Sequence, residues 1–179
     1  VECATWKGGA VGIMALANLR HGPRRRILHL FDSFQGIPEP DANVDGERAI
    51  REAIAGGLGV DGRLRSVKGF YDALGGNGTL ETNRLLLEET IGYGADHIKY
   101  HPGWFQETLP REATTVGDIA LLRLDCDWYA SLRICLEHLY HKGVPGGFVI
   151  FDDYGAYDGA KKAVDEFFAM RHEHPYLHY

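Results

Sequence analysis

Along this chain, short runs of apolar residues alternate with longer stretches in which apolar residues recur at helical spacing. The short runs fall at residues 1–4, 27–31, 95–100, 118–124 and 148–151. Runs of that kind read as buried strands. The helical patterns fall at 10–19, 80–93, 128–141 and 158–172, with a helix-like piece at 47–55. His21-Gly22-Pro23 ends the first of them, because Pro cannot continue a helix. Strands alternating with helices predict an α/β domain, a mostly parallel sheet with helices on both faces. Residues 1–179 are expected to form a single such domain, and a chain of that length can bury a core. Residues 35–80 break the pattern, being rich in Gly, Asp and Pro. Within the domain, 39–93 is therefore expected to hold a partly irregular insertion or lid.

In such a sheet, ligands bind beyond the carboxyl ends of the strands. The polar residues just past the predicted strands are Glu2, Asp32, Asp125 and the pair Asp152-Asp153. They are expected to meet at one edge despite their separation in sequence. Asp125 and Asp127 follow one strand, and Asp152 and Asp153 follow the next. If those strands are neighbours, three or four carboxylates share a small volume. Like charges that close raise one another's pKa unless a cation intervenes. Carboxylate oxygens suit Mg²⁺, Mn²⁺ or Ca²⁺. The bland alternative is that some of these acids cap the next helix, and for Asp127 that reading stands level with function.

Other positions carry less specific signals. Trp6-Lys7-Gly8-Gly9 joins a strand to a helix, where backbone N–H groups can meet a carboxylate or a phosphate. It is neither a P-loop nor the full dinucleotide fingerprint. Asp32 can accept hydrogen bonds from two ribose hydroxyls, or cap a turn with Ser33. His101 reads equally as pocket wall and as a functional group. His172 and His174 read as surface cations at a helix end. Tyr154 either shapes an acceptor site or packs.

Composition narrows the classes. A net charge of −6 argues against nucleic acid or an anionic membrane as main partner. Arg24-Arg25-Arg26 reads as a solvated turn. No apolar run approaches the roughly 20 residues of a membrane span, and no signal-peptide pattern is visible. Cys3, Cys126 and Cys135 do not make a disulfide framework, so reduced thiols in the cytoplasm are expected. The first residues read as the inside of a strand and residues 176–179 as the start of another. A piece of a longer polypeptide is expected.

Five blocks then combine. Glu2-Cys3-Ala4-Thr5-Trp6-Lys7-Gly8-Gly9 is followed by Phe31-Asp32-Ser33-Phe34-Gln35-Gly36-Ile37-Pro38. Pro102-Gly103-Trp104-Phe105-Gln106-Glu107-Thr108-Leu109-Pro110 and Leu122-Arg123-Leu124-Asp125-Cys126-Asp127-Trp128-Tyr129 come next. Gly146-Gly147-Phe148-Val149-Ile150-Phe151-Asp152-Asp153-Tyr154 comes last. In this order they resemble the macrocin O-methyltransferase family, which includes sugar O-methyltransferases of macrolide and aminocoumarin antibiotic biosynthesis. The resemblance spans nearly the whole chain.

It implies a Rossmann-like class I methyltransferase fold, S-adenosyl-L-methionine as methyl donor, and Mg²⁺ (or Mn²⁺). It implies methyl transfer to a hydroxyl of a sugar or related natural product. By motif, Asp125, Asp152 and Asp153 would hold the metal, with Asp125 also the general base. Glu2, Ala4 and the Gly8-Gly9 turn would line the methionine end of the cofactor. Asp32 would hold the ribose, with Ser33 and Phe34 nearby, and Gly103, Trp104 and Phe105 would border the adenine. The implied partner is a small-molecule hydroxyl acceptor, a glycosylated natural product, with no nucleic acid and no membrane. A homo-oligomer with exchanged lids suits the family. The family usually has Gly where this chain has Ala4 and Cys126.

Three other readings compete. One is a catechol-type O-methyltransferase acting on a phenol or diol. Another is a phosphatase of the haloacid dehalogenase kind, whose nucleophilic Asp follows the first strand rather than a late one. The third is a non-catalytic binding domain that kept the fold.

Overall fold

A computed structural model describes residues 1–66 and 69–178. Five parallel strands form one sheet: β1 (Glu2–Cys3), β2 (Leu28–Asp32), β3 (Ile98–Pro102), β4 (Ile119–Leu124) and β5 (Gly143–Phe151). Their order is β3-β2-β1-β4-β5. The helices are α1 (Gly9–His21), α2 (Gly46–Ala55), α3 (Leu80–Arg84), α4 (Phe105–Glu112), α5 (Tyr129–Leu139) and α6 (Asp158–Met170). The α/β class predicted from the pattern holds. The chain winds outward from β1 to β3, then returns to the other side of β1 for β4. The switch point therefore lies between β1 and β4.

Side chains alternate across the sheet, and each face has its own core. Leu28 and Leu30 of β2 pack with Ile98 of β3 against Val11 and Ala15 of α1, together with Leu87 and Tyr93. Phe31 belongs to the other face, with Cys3, Leu122 and Leu124. There α4, α5 and α6 contribute Leu109, Leu132, Leu136, Val164 and Phe168. Each large side chain fully buried in this way contributes about 1.5–3 kcal/mol. These two layers hold the strand ends that present the acidic residues.

Several predicted elements differ in detail. The 80–93 helix divides: α3 ends at Arg84, and Leu85–Thr90 continue as a π-helical turn. There the Ile91 N–H reaches the Leu86 carbonyl five residues back. β3 begins later than predicted, because Ala95–His97 form a 3₁₀ turn. β5 is longer than predicted and takes in Gly146-Gly147, read from sequence as a turn. Gly146 sits at φ +80° beside a register shift against β4, so these glycines accommodate a bulge inside the strand. Helix α6 stops at Met170, short of His172. Residues 176–178 form no strand, and residue 179, also part of that expectation, lies outside the described residues.

The segment 39–93 has two structural parts. Ile37, Ala49, Ala53 and Leu58 pack on Trp128 and form a third small core around α2. The Trp128 indole N–H donates to the Pro38 carbonyl at 2.8 Å. Leu87 and Tyr93, by contrast, belong to the helical layer against α1. Among the described residues, no helix is long and apolar enough to cross a membrane.

Candidate active site

Because all five strands are parallel, the residues following them arrive at one edge. A cavity of about 250 Å³ opens there, at the switch point. Of the expected site residues, Ala4, Asp32, Ser33, Gly103, Trp104, Phe105 and Asp125 line it. Glu2, Gly8, Gly9, Phe34, Asp152 and Asp153 are outside its lining. Phe34 is buried in the core beneath α1. His101 is also outside the cavity wall. Its ring stacks on Phe31 at 3.9 Å and meets His29 at 3.0 Å and Glu112 at 2.5 Å. Tyr154 donates to Asp165 of α6 at 2.8 Å. His172 and His174 are exposed.

Asp32 organises the first loop. Its Oδ2 accepts the N–H groups of Thr5 (2.6 Å) and Trp6 (3.1 Å) and the Thr5 hydroxyl (3.3 Å). Its Oδ1 accepts the Phe34 N–H at 2.7 Å. Burial raises its pKa against the pull of these donors. The loop after β1 takes tight left-handed conformations, with Ala4 at φ +65° and Trp6 at +45°. A Gly at position 4 would meet that geometry without strain.

The irregular segment completes the wall through Tyr71, Leu74 and Gly78, residues to which the sequence assigned no role. It is fastened to the first loop. Trp6 Nε1 donates to the Gly76 carbonyl at 3.1 Å, and Lys7 Nζ to those of Leu74 (2.8 Å) and Gly75 (3.0 Å). A Cβ on Gly78 would sit 1.7 Å from the Trp6 carbonyl oxygen, so only glycine permits this approach.

The acids gather as expected. Asp125, Asp152 and Asp153 each offer an oxygen within 4.8 Å of the others. Burial pushes the Asp125 carboxyl up to about 7, with Asp152 and Asp153 adding to the rise and Arg123 opposing it. Asp153 is raised too, chiefly by burial. Each of the three has one oxygen held by the protein: Asp125 Oδ2 and Asp152 Oδ1 by Arg123, and Asp153 Oδ2 by the Asp127 N–H. The second oxygen of each has no hydrogen bond among the described residues. Three crowded carboxylates with one spare oxygen apiece fit a hard divalent cation, which takes oxygen ligands.

Asp127 sits at φ +54° and lines the cavity. It does not cap α5, because that task falls to Asp45, whose Oδ1 accepts the Tyr129 N–H at 2.7 Å. No hydrogen bond reaches the Asp127 carboxylate among the described residues. Burial, then the charges of Asp153, Asp125 and Asp152, push its pKa well above the ordinary value. Glu2 is buried beside Arg123, and burial pushes it up to about 7. Its Oε1 accepts from Arg123 at 2.7 Å, while the buried Oε2 has no partner.

A parallel sheet in this strand order, with an acidic and aromatic cavity at its switch point, is the architecture of Rossmann-like methyltransferases. The chain belongs to the macrocin O-methyltransferase family, whose model matches residues 1–60 and 88–176. It is 36% identical over 170 residues to 8-demethyl-8-(2,3-dimethoxy-alpha-L-rhamnosyl)-tetracenomycin-C 4'-O-methyltransferase of Streptomyces olivaceus, covering 93% of this chain and 56% of that protein. It is 34% identical over 167 residues to demethyldecarbamoylnovobiocin O-methyltransferase of Streptomyces niveus, with the same coverage. Thus the chain spans just over half the length of these curated relatives. The solved structure of the O-methyltransferase NovP superposes with a TM-score of 0.71 at 30% identity, over 96% of this chain and 63% of that one.

Proposed function

We propose that this chain is the catalytic part of an S-adenosyl-L-methionine-dependent O-methyltransferase that modifies a sugar hydroxyl of a glycosylated natural product. A Mg²⁺ or Mn²⁺ ion held by Asp125, Asp152 and Asp153 assists. The carrying observation is the convergence of those three carboxylates, each with a spare oxygen, beside the cavity that Asp125 lines. The rhamnosyl group in the name of the tetracenomycin relative supports a sugar as acceptor.

Bound S-adenosyl-L-methionine supplies an electrophilic methyl group, and the bound cation lowers the pKa of the acceptor hydroxyl. The rest falls to the protein. Trp104 and Phe105 offer apolar wall for an adenine ring, and Asp32 and Ser33 offer polar groups for a ribose. Glu2 lies beneath the cavity and acts on the site through Arg123, which also holds Asp125 and Asp152. Trp6 and Tyr71, with ring centroids 5.8 Å apart, form an aromatic part of the cavity wall. Methyl transfer is an in-line displacement, so this positioning carries much of the rate.

The sequence assigns Asp125 two roles, ligand and base. The geometry favours dividing them. One oxygen of Asp125 accepts from Arg123, and the other would serve a bound cation. The Asp127 carboxylate lines the cavity and accepts no hydrogen bond among the described residues, so it is free to act as general base. Asp127 takes the proton. All three cysteines are buried free thiols, which supports our placing the enzyme in the cytoplasm.

The test is transfer of an isotope-labelled methyl group by the full-length protein to paired acceptors: a rhamnosyl glycoside, its aglycone and a catechol. Label confined to the sugar is expected. Label on the catechol alone would replace this reading with the catechol-type one.

A further inference from the structure

Strand β4 is apolar except for Arg123. A guanidinium largely removed from water is unfavourable unless its donors are all matched. Here the side chain is 15% exposed. Nη1 donates to Glu2 Oε1 at 2.7 Å and to Asp125 Oδ2 at 2.9 Å, and Nη2 donates to Asp152 Oδ1 at 2.7 Å. One planar fork therefore grips carboxylates carried by three adjacent strands, β1, β4 and β5.

Two effects of such a group on a nearby dication oppose each other. Its charge repels the ion, whereas its hydrogen bonds hold the ion's ligands in place. The contacts decide which matters here. Arg123 occupies only one oxygen of Asp125 and one of Asp152, and leaves the other oxygen of each unbonded. Without the fork, mutual repulsion would swing these half-exposed carboxylates apart and out toward water. Lysine carries the same charge, but its single ammonium cannot reproduce a rigid fork across three strands.

We propose that Arg123 is a positioning residue for the cation. It fixes Asp125 and Asp152 so that their second oxygens stay gathered with Asp153. The proposal rests on the cation reading above. Removing groups that orient metal ligands weakens metal binding by about 10- to 100-fold, and that is the loss expected here.

The test is Mn²⁺ binding to the full-length protein, read from the paramagnetic resonance signal of free Mn²⁺, for wild type, Arg123→Met and Arg123→Lys. Both variants are expected to bind Mn²⁺ about 10- to 100-fold more weakly while keeping a native near-ultraviolet dichroism spectrum. The lysine variant keeps the charge, so its loss isolates the fork. A folded variant that binds Mn²⁺ as tightly as wild type, or more tightly, overturns the proposal. If neither variant folds, the ¹⁵N spectrum of the wild-type Arg123 guanidinium decides. Slow guanidinium rotation persisting at saturating Mg²⁺ supports the clamp, and release into free rotation overturns it. A wild type that binds no Mn²⁺ would instead remove the cation reading itself.

Discussion

Asp45 Oδ1 accepts the backbone N–H of Tyr129 at 2.7 Å, so the first turn of α5 is capped by a residue from the irregular segment. The same carboxylate takes the Asp41 N–H through Oδ2, also at 2.7 Å. Asp45 thus joins the segment to the helix that follows Asp127, and it leaves the Asp127 carboxylate to the cavity.

Asp45→Ala is expected to cost about 1–2 kcal/mol, as loss of a helix cap does. For a domain of this size that lowers Tm by roughly 2–8 °C. Activity should fall as well, since Trp128 and Asp127 lose their support. Thermal melts and initial rates on the same protein check both.

Asp127→Asn separates base from ligand. The variant is expected to lose about 10²- to 10⁴-fold in kcat, the usual worth of a general base. Its Mn²⁺ affinity should stay within a few-fold of wild type. Asp152→Asn should show the opposite emphasis, with Mn²⁺ affinity lost first. Full activity in Asp127→Asn would return the proton to Asp125.

Ala4 is held at φ +65°, where an L side chain costs roughly 1–2 kcal/mol. The greater freedom of Gly in the unfolded chain offsets about 0.4–1 kcal/mol of that, so Ala4→Gly should raise Tm by up to about 6 °C. A lower Tm would mean that the left-handed conformation is not strained here.

His29 is buried beside His101, and burial, followed by the charge of that neighbour, lowers its pKa to about 4. The unfolded chain binds this proton near pH 6.5, whereas the fold refuses it until about 4. Stability is therefore complete above about 6.5 and falls as pH drops from there toward 4, by at most roughly 3 kcal/mol from this group. His29→Asn keeps a polar atom for His101 and removes the titration. Urea melts across pH 4–7 should be flatter for the variant, and parallel curves would exclude His29 as the cause.

The strands were readable as short apolar runs; β2, β4 and β5 are closed by acids, and a parallel sheet delivers such closing residues to one edge. Asp125, Asp152 and Asp153 met for that reason. Features that depend on contacts across the fold were not legible. Gly146-Gly147 looks like a turn in sequence, and only pairing with β4 turns it into a bulge. Asp45 and Tyr71 lie in a segment with no periodicity, and nothing local shows what they touch. Arg123 did leave a signal. A charge inside an otherwise apolar strand must find buried partners, but only the fold shows which: Asp125 is two residues away, whereas Asp152 and Glu2 arrive from the neighbouring strands.

The most direct test of the central claim is the rate of methyl transfer by full-length protein stripped with EDTA, measured as Mg²⁺ is titrated back. The three-aspartate site predicts transfer near background after stripping and saturable recovery with added Mg²⁺, with the curve displaced to much higher Mg²⁺ in Asp152→Asn. Equal rates before and after stripping, with no response to Mg²⁺, would contradict it.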